Sequence, residues 1–518
     1  MNRNGAGLHS RPDIAASGVL AVTSLMALYG FGMELSLAVP LAILLGLTGQ
    51  KFVDLIEHCG KRDVFAPPIL IAFYFMVYFG LRAIYLTFAR FVDSRMGLTP
   101  YDDYLPAALW CACLGYVSFS MGFSLRWSKR WNGILPKGRL SWPRVLPGDR
   151  ILLALGIGAA SSAYLFSIGM VVGDYSNPEF LRNPPPGLPI LLETLLYLGW
   201  AAICVSLATP EKVIGRRAAW PLLALAFALL LARVAITGSK ESLILPVLQA
   251  LIIFHYLRRR LSVWKLAAVS LPTLLVAFGA VNFYRFVVVG QLGGAPRSVG
   301  DVVTRVSSAS DYLTSGSHSS GRSSALEQLM LRDSGVDALA LVIKYTPNPF
   351  PFAYGKDLVK LPLSFVPRQL WRDKPVNGAG RDFEYQYMGM PSDYIGFSSM
   401  HLISDLYRNF WFFGVVGGMF LVGVALKCFY RFFSPASRNA AGVFLYAALL
   451  PSLGRFLEGD IATVLTEVIR SFVLAIATGW LLGLRFRRAI PENLRVNVVP
   501  VQGGVVNISP HIICAVTE

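Results

Sequence analysis

Apolar runs of about 20 residues, the length that crosses a hydrocarbon core, recur along this chain of 518 residues. Twelve are read, over residues 13–31, 34–49, 66–88, 104–125, 151–172, 189–208, 219–237, 241–257, 265–285, 410–430, 439–456 and 461–484. Inside a bilayer every backbone N–H and C=O must be satisfied within the protein, so only helices or a closed barrel span it. Continuous apolar runs specify helices, because barrel strands alternate with lumen-facing polar residues. The expected fold is therefore an all-α polytopic membrane protein of about 12 transmembrane helices. The second run is short, and either spans or pairs with the first as a re-entrant hairpin. No cleavable-signal pattern precedes the first run, which is expected to remain as a span.

Charge supports this class. Only 15% of residues are charged, against about a quarter in soluble domains. The net charge of +17 falls mostly in short loops, where it orients helices and does not imply a nucleic-acid partner. Arg3 and Arg11, then Lys51, Lys61 and Arg62, the cluster Arg126–Arg150, Lys212–Arg217, Arg258–Lys265, Arg431–Arg438 and Arg485–Arg495 all alternate to one side. Short loops on the other side hold only Arg90, Arg95, Arg182 and Lys240. The positive-inside rule then places both termini in the cytoplasm and residues 286–400 outside. The organisation is helices 1–9 over 1–285, a large outer loop over 286–400, helices 10–12 over 401–485, and a cytoplasmic tail over 486–518. The six cysteines (Cys59, Cys111, Cys113, Cys204, Cys428, Cys514) fall in spans or cytoplasmic segments. Their spacing implies neither a disulfide framework nor a metal site.

Three textures divide the outer loop. Residues 306–324 are rich in Ser and Gly and read as a flexible linker. Residues 325–345 carry apolar positions at helical spacing, broken at Gly335, and predict two short amphipathic helices on the membrane surface. Beyond Pro347 come aromatics and prolines, among them Trp371, Tyr385 and Tyr387. Aromatic faces either stack on sugars or form a loop core.

Six arginines lie in or at the edge of spans: Arg82, Arg233, Arg285, Arg408, Arg455 and Arg470. An arginine at a helix centre costs about 2.5–3.5 kcal/mol on insertion scales. The topology puts all but Arg470 near outer ends. Snorkelling to headgroups accounts for any one of them, but the positive-inside tendency depletes arginine there. Together they suggest an anionic ligand, because guanidinium forks suit phosphate oxygens. Glu193, Asp405, Asp460 and Glu467 accompany them. Glu467 and Arg470 are three apart and read as a structural pair. Asp460 either braces Arg455 or acts as a base, and His401 lies four residues before Asp405. No Walker loop, GxSxG, HExxH or dinucleotide fingerprint occurs, so no nucleotide, metal or other cofactor is expected. Energy would arrive in an activated substrate.

Several stretches, in order, carry a resemblance. Thr237-Gly238-Ser239-Lys240-Glu241-Ser242-Leu243 joins two helices on the outer side, and Pro367-Arg368 through Trp371 to Lys374-Pro375 closes the loop. Asp405-Leu406-Tyr407-Arg408-Asn409-Phe410, then Gly414 and Gly417-Gly418-Met419-Phe420, opens the next helix, and Arg455 with Gly459-Asp460 opens the last. Over about residues 220–485 the chain resembles the Wzy-type O-antigen or exopolysaccharide polymerases. The resemblance implies a GT-C-like glycosyltransferase in a bacterial inner membrane. Such an enzyme moves a glycan from undecaprenyl diphosphate onto a lipid-linked oligosaccharide repeat at the periplasmic face, with a flippase and a chain-length regulator as partners.

Carried over by residue, Arg233, Lys240, Arg368, Arg372, Lys374 and Arg455 match the family's basic positions, and Asp460 its last-turn carboxylate. The chain departs where the family often has Glu-Ala-Tyr-x-Asn-Phe-Gly: Asp405 is one methylene shorter and Trp411 replaces Gly. The expected mechanism is a single displacement at the anomeric carbon. Arg285, Arg368, Arg408 and Arg455 hold the departing diphosphate, and His401 or Asp405 orients or deprotonates the acceptor hydroxyl. Trp371, Tyr385 and Tyr407 are the candidates for sugar stacking. An O-antigen ligase shares the architecture and donor. A secondary transporter would instead show repeats and midplane charges, and no half-to-half repeat is evident.

Overall fold

A computed structural model of the chain describes residues 14–58, 63–89, 102–125, 139–142, 148–168, 187–209, 216–237, 239–277, 300–301, 303–304, 307, 335–359, 361–366, 371, 379–391, 399–433 and 435–487. Among them, nine helices are long and apolar enough to cross a membrane, and three shorter apolar helices accompany them. The chain is a polytopic, predominantly helical membrane protein.

The helices follow the apolar runs. They are α1 (Ile14–Gly30), α2 (Leu35–Glu57), α3 (Pro67–Phe75), α4 (Arg82–Ala89), α5 (Leu105–Ser124), α6 (Gly148–Ser167), α7 (Gly187–Glu193), α8 (Leu195–Ala208), α9 (Arg216–Thr237), α10 (Lys240–Leu257) and α11 (Val263–Leu275). After the outer loop, whose best-formed helix is α12 (Gly335–Tyr345), come α13 (Leu402–Phe433), α14 (Ala440–Glu458) and α15 (Ile461–Leu481). Helices α3 and α4 form one run, joined by a π-helical turn at Met76–Leu81. At 23 residues, α2 is long enough to cross, so the re-entrant alternative is not needed. Its polar end, through Gln50 and Asp54, remains helical because the chain continues past the apolar stretch.

Two hydrophobic cores organise the bundle. One joins α1–α5, α12 and α13, and the other joins α6, α8–α10 and α14. The tightest crossing is α5 on α13. A Cβ at Gly122 would overlap the Phe420 carbonyl, and one at Gly423 the Phe119 carbonyl. Small residues let the two backbones meet where lipid supplies no hydrophobic drive.

Polar contacts segregate to two ends. At one, Asp63 accepts hydrogen bonds from Tyr256 (2.8 Å) and Tyr430 (2.5 Å). His255 Nδ1 accepts from the Leu261 N–H at 3.0 Å, so its proton sits on Nε2, which faces Asp63 at 3.4 Å. Burial alone would push the Asp63 carboxyl up, but His255, Tyr430 and Tyr256 outweigh it and hold the group below its usual range. The same end carries a two-stranded ribbon, β1 (Arg139–Ser141) antiparallel to β2 (Arg485–Arg487), with Leu140 opposite Phe486. The basic stretch after the last helix is thus paired to the fourth connection, a long-range contact that local hydropathy does not encode. At the other end lie the described segments of the long loop between α11 and α13.

The loop helix α12 departs from the sequence expectation of a surface helix. Every residue from Gly335 to Val342 is buried. Its first-turn Asp337 meets Arg82 through a two-pronged ion pair, Nε–Oδ2 2.8 Å and Nη2–Oδ1 3.2 Å, with both side chains at 0% exposure. At Gly335, the first residue of α12, an added Cβ would lie 3.0 Å from Tyr78 Cβ, so the missing side chain lets the two segments approach closely. Its amphipathic pattern faces protein on both sides, the polar face being satisfied by one arginine. The expected partner helix over 325–334 lies outside the described residues.

Candidate functional site

His401 stands immediately before α13. Its φ of +61° is left-handed, a conformation unusual without glycine. The backbone is held there by its N–H donating to the Glu458 carbonyl (3.1 Å) and its carbonyl accepting from the Asp405 N–H (3.0 Å). The Tyr74 hydroxyl donates its single proton to the Leu457 carbonyl at 2.8 Å. It must therefore accept from His401 Nδ1–H, 2.9 Å away. That assigns the tautomer: Nε2 carries a lone pair, and among the described residues it has no hydrogen-bond partner. Burial pushes the imidazole down to about 4, so His401 is neutral at physiological pH. Ser404 Oγ, three residues on and 0% exposed, is also without a partner among the described residues.

Aromatic and acidic groups surround this imidazole. The Tyr78 ring sits edge-on to it at 5.3 Å and stacks on Tyr74 at 4.6 Å. The Tyr78 hydroxyl donates to the half-buried Glu458 carboxylate. Tyr74 and Tyr78, one turn apart, thus each engage the end of α14. Sequence reading missed Tyr74, Tyr78 and Glu458. A tyrosine pair at i, i+4 facing a polar cluster was the available signal, but in an aromatic-rich span it reads as ordinary core.

Asp405 and Asp460, both candidate bases, serve α15. Asp460 is its N-cap, Oδ1 accepting from the Thr463 N–H at 2.9 Å. Asp405 Oδ2 accepts from the Ile461 N–H at 3.0 Å, while Oδ1 accepts from Asn409 Nδ2 at 3.0 Å. Two carboxylates therefore meet the orphan amides and positive dipole end of one helix. Asp405 is brought near His401 but makes no side-chain hydrogen bond to it.

The stretch 405–411 also anchors the long loop that precedes it. The Arg408 carbonyl accepts from the Ala353 N–H (3.0 Å), the Asn409 carbonyl from Tyr354 (3.3 Å), and Asn409 Oδ1 from the Gly355 N–H (2.8 Å). Immediately beyond, α13 kinks at Phe410 (φ −142°, ψ 26°) and Trp411 (φ 56°, ψ −151°). The Trp411 pair of angles belongs to a region that glycine alone occupies readily. This chain adopts the kink with Trp.

The arginines do not form an open anion clamp among the described residues. Arg82 pairs with Asp337, Arg233 with Glu193, and Arg408 with Asp357. Arg233 also donates to Ser242 Oγ (3.1 Å) and lies over the Tyr197 ring, and Glu193 accepts from Ser162 (2.8 Å). Arg233 and Arg408 each face a carboxylate that matches their charge. All three partners come from other chain segments, which charge counting along a helix does not reveal. Lys240 begins α10 and is half-buried. Arg285, Arg368, Arg372 and Lys374 lie outside the described residues, as does the side chain of Arg455. Among the stacking candidates, Trp371 is 38% exposed and Tyr385 half-buried, but Tyr407 is 4% exposed. Phe352 and Phe412 pack against the Tyr407 ring at 6.5 and 5.3 Å, so it is core rather than a sugar platform.

Residues 181–429 match a family model described as a domain of unknown function (DUF8712). The match takes in α7 to α13, including the loop anchor, His401 and Arg408, and stops short of Glu458 and Asp460. No curated protein and no solved structure matches the chain.

Proposed function

We propose that this chain is a membrane glycosyltransferase that polymerises undecaprenyl-diphosphate-linked oligosaccharide repeats, with His401 receiving the proton of the acceptor hydroxyl. The observation that carries this reading is the His401 imidazole, neutral, fixed by Tyr74, with an unpartnered Nε2 lone pair. A hydroxyl is the natural donor to such an atom. As its oxygen bonds to the anomeric carbon, the bond from that carbon to the diphosphate oxygen breaks and the diphosphate leaves with the electron pair. The hydroxyl proton passes to Nε2. Arg285, Arg368, Arg372, Lys374 and Arg455 are the basic residues proposed to meet the leaving group.

The ordered motifs shared with the Wzy-type enzymes support this reading, as does the docking of the outer loop on residues 408–409. The architecture proposed is GT-C-like, with twelve spans made of the nine long helices and three shorter ones. Positive residues on the Asp63 side favour a cytoplasmic location for that end, with both termini, in a bacterial inner membrane. His401 then faces the periplasm.

Lipid-linked and surface glycans from cells lacking the gene, resolved on a gel and complemented with wild type or His401→Ala, test the reading. Single repeat units without long chains in both the deletion and the His401→Ala strain are expected. Long chains persisting on the carrier lipid would mean a ligase, which shares the donor and differs in acceptor. An unchanged profile in the deletion would overturn both.

A further inference from the structure

In this structure the reactive nitrogen of His401 is sealed. The residue is 1% exposed, and its Nε2 lone pair reaches neither solvent nor a described hydrogen-bond donor. A hydroxyl can meet it only if something moves. We propose that Tyr78, latched at its hydroxyl by Glu458, is the gate over His401, and that it opens at the π-helical turn in which it sits.

Three observations single out Tyr78. Tyr74, the other ring against His401, is buried and tied at its hydroxyl to both His401 Nδ1 and the Leu457 carbonyl. Moving it would break two buried hydrogen bonds and release the tautomer that makes Nε2 an acceptor. Tyr78 is half-buried, and its partner Glu458 is half-buried as well. The Tyr78–Glu458 bond is therefore less enclosed than the two bonds that hold Tyr74. The Tyr78 backbone lies in the Met76–Leu81 π turn, where one extra residue per turn weakens the regular ladder and such turns recur at functional sites. Just beyond, Arg82 is fixed by Asp337, so movement is confined between two anchors, Tyr74 and Arg82. The Glu458 carbonyl also holds the His401 N–H, which places latch and imidazole on one rigid corner.

This inference deepens the reading of His401 as the proton acceptor, and its test needs no glycan. Diethyl pyrocarbonate acylates the unprotonated imidazole nitrogen, and mass spectrometry reads each histidine in the purified, detergent-solubilised full chain. The exposed His58 serves as reference, and His255, 1% exposed in the other core, reports the integrity of the fold. In wild type, His401 is expected to label at least about tenfold more slowly than His58, as for a site reached through local opening. Tyr78→Phe, which keeps the ring but removes the latch, is expected to raise His401 labelling severalfold and leave His255 protected. Glu458→Ala should do the same, and Glu458→Gln, which retains an acceptor oxygen, should remain near wild type. His401 labelling unchanged in both latch variants overturns the gate, and so does His401 labelling as fast as His58 in wild type. Loss of His255 protection in both latch variants also overturns it, since the pair would then hold the whole fold. A protected, gated His401 in a protein whose deletion leaves glycans unchanged would separate this inference from the proposed function.

Discussion

Replacing Arg82 by Met tests whether the intramembrane arginines are structural or wait for a ligand. The Arg82 fork meets Asp337 at 2.8 and 3.2 Å with neither side chain exposed. At an effective dielectric of about 20, two unit charges some 3 Å apart attract by about 5 kcal/mol. Desolvation costs several kcal/mol per ion, so the intact pair is close to neutral in net stability. Removing the arginine keeps the desolvation of Asp337 and deletes the attraction, which costs about 3–5 kcal/mol. Arg82→Met and Asp337→Leu should therefore each lower the melting temperature in detergent by several degrees. The double variant should recover most of the loss, because two apolar side chains of similar length fill the site. Arg82→Lys should fall between, since an ammonium cannot reproduce the fork. The reasoning is refuted if the single losses simply add in the double variant, or if Arg82→Met melts like wild type. The latter result would return Arg82 to the pool of arginines available to an anion. Because the pair ties α12 to the run containing Tyr78, the variants also report how firmly the loop helix seats against the membrane bundle.

Two further outcomes follow from backbone strain and from burial. Trp411→Gly relieves a φ of 56° and ψ of −151° in a region that costs other residues about 1–3 kcal/mol. Since the indole is 46% exposed, the variant should be neutral or more stable by about 1 kcal/mol, after the entropy of glycine is counted; a lower melting temperature would show that indole packing outweighs the strain. Burial holds the folded His401 at about 4, below the ordinary imidazole value of about 6.5, so the unfolded chain binds a proton first as pH falls. Its neutral burial then stabilises the fold fully above about 6.5, and that contribution, at most about 3 kcal/mol, is lost between about 6.5 and 4 and does not change further below. Melting temperature against pH should show that slope in wild type and a shallower one in His401→Asn; equal slopes would refute the assignment.

The sequence by itself determined the class and the rough course of the chain. Continuous apolar runs admit only helices in lipid, so the described helices fall on the expected spans, although α2 runs on to Glu57 and α13 begins as early as Leu402. Gly335 as a helix start and residues 405–411 as a junction were legible too, because glycine and the polar-to-apolar switch act locally. What only the tertiary structure decided is who pairs with whom. Arg82 finds Asp337, and Arg408 finds Asp357, across long chain separations. Reading along a helix therefore overcounts open positive charge. Asp405 and Asp460 resemble catalytic carboxylates in sequence, yet in space they meet the amides of α15. The tautomer of His401 depends on a Tyr74 hydroxyl 327 positions away. Spans follow from short-range partitioning between water and lipid, which each segment experiences alone. The state of a buried charge or imidazole follows from desolvation and from the partner that folding brings, and neither exists until distant segments pack.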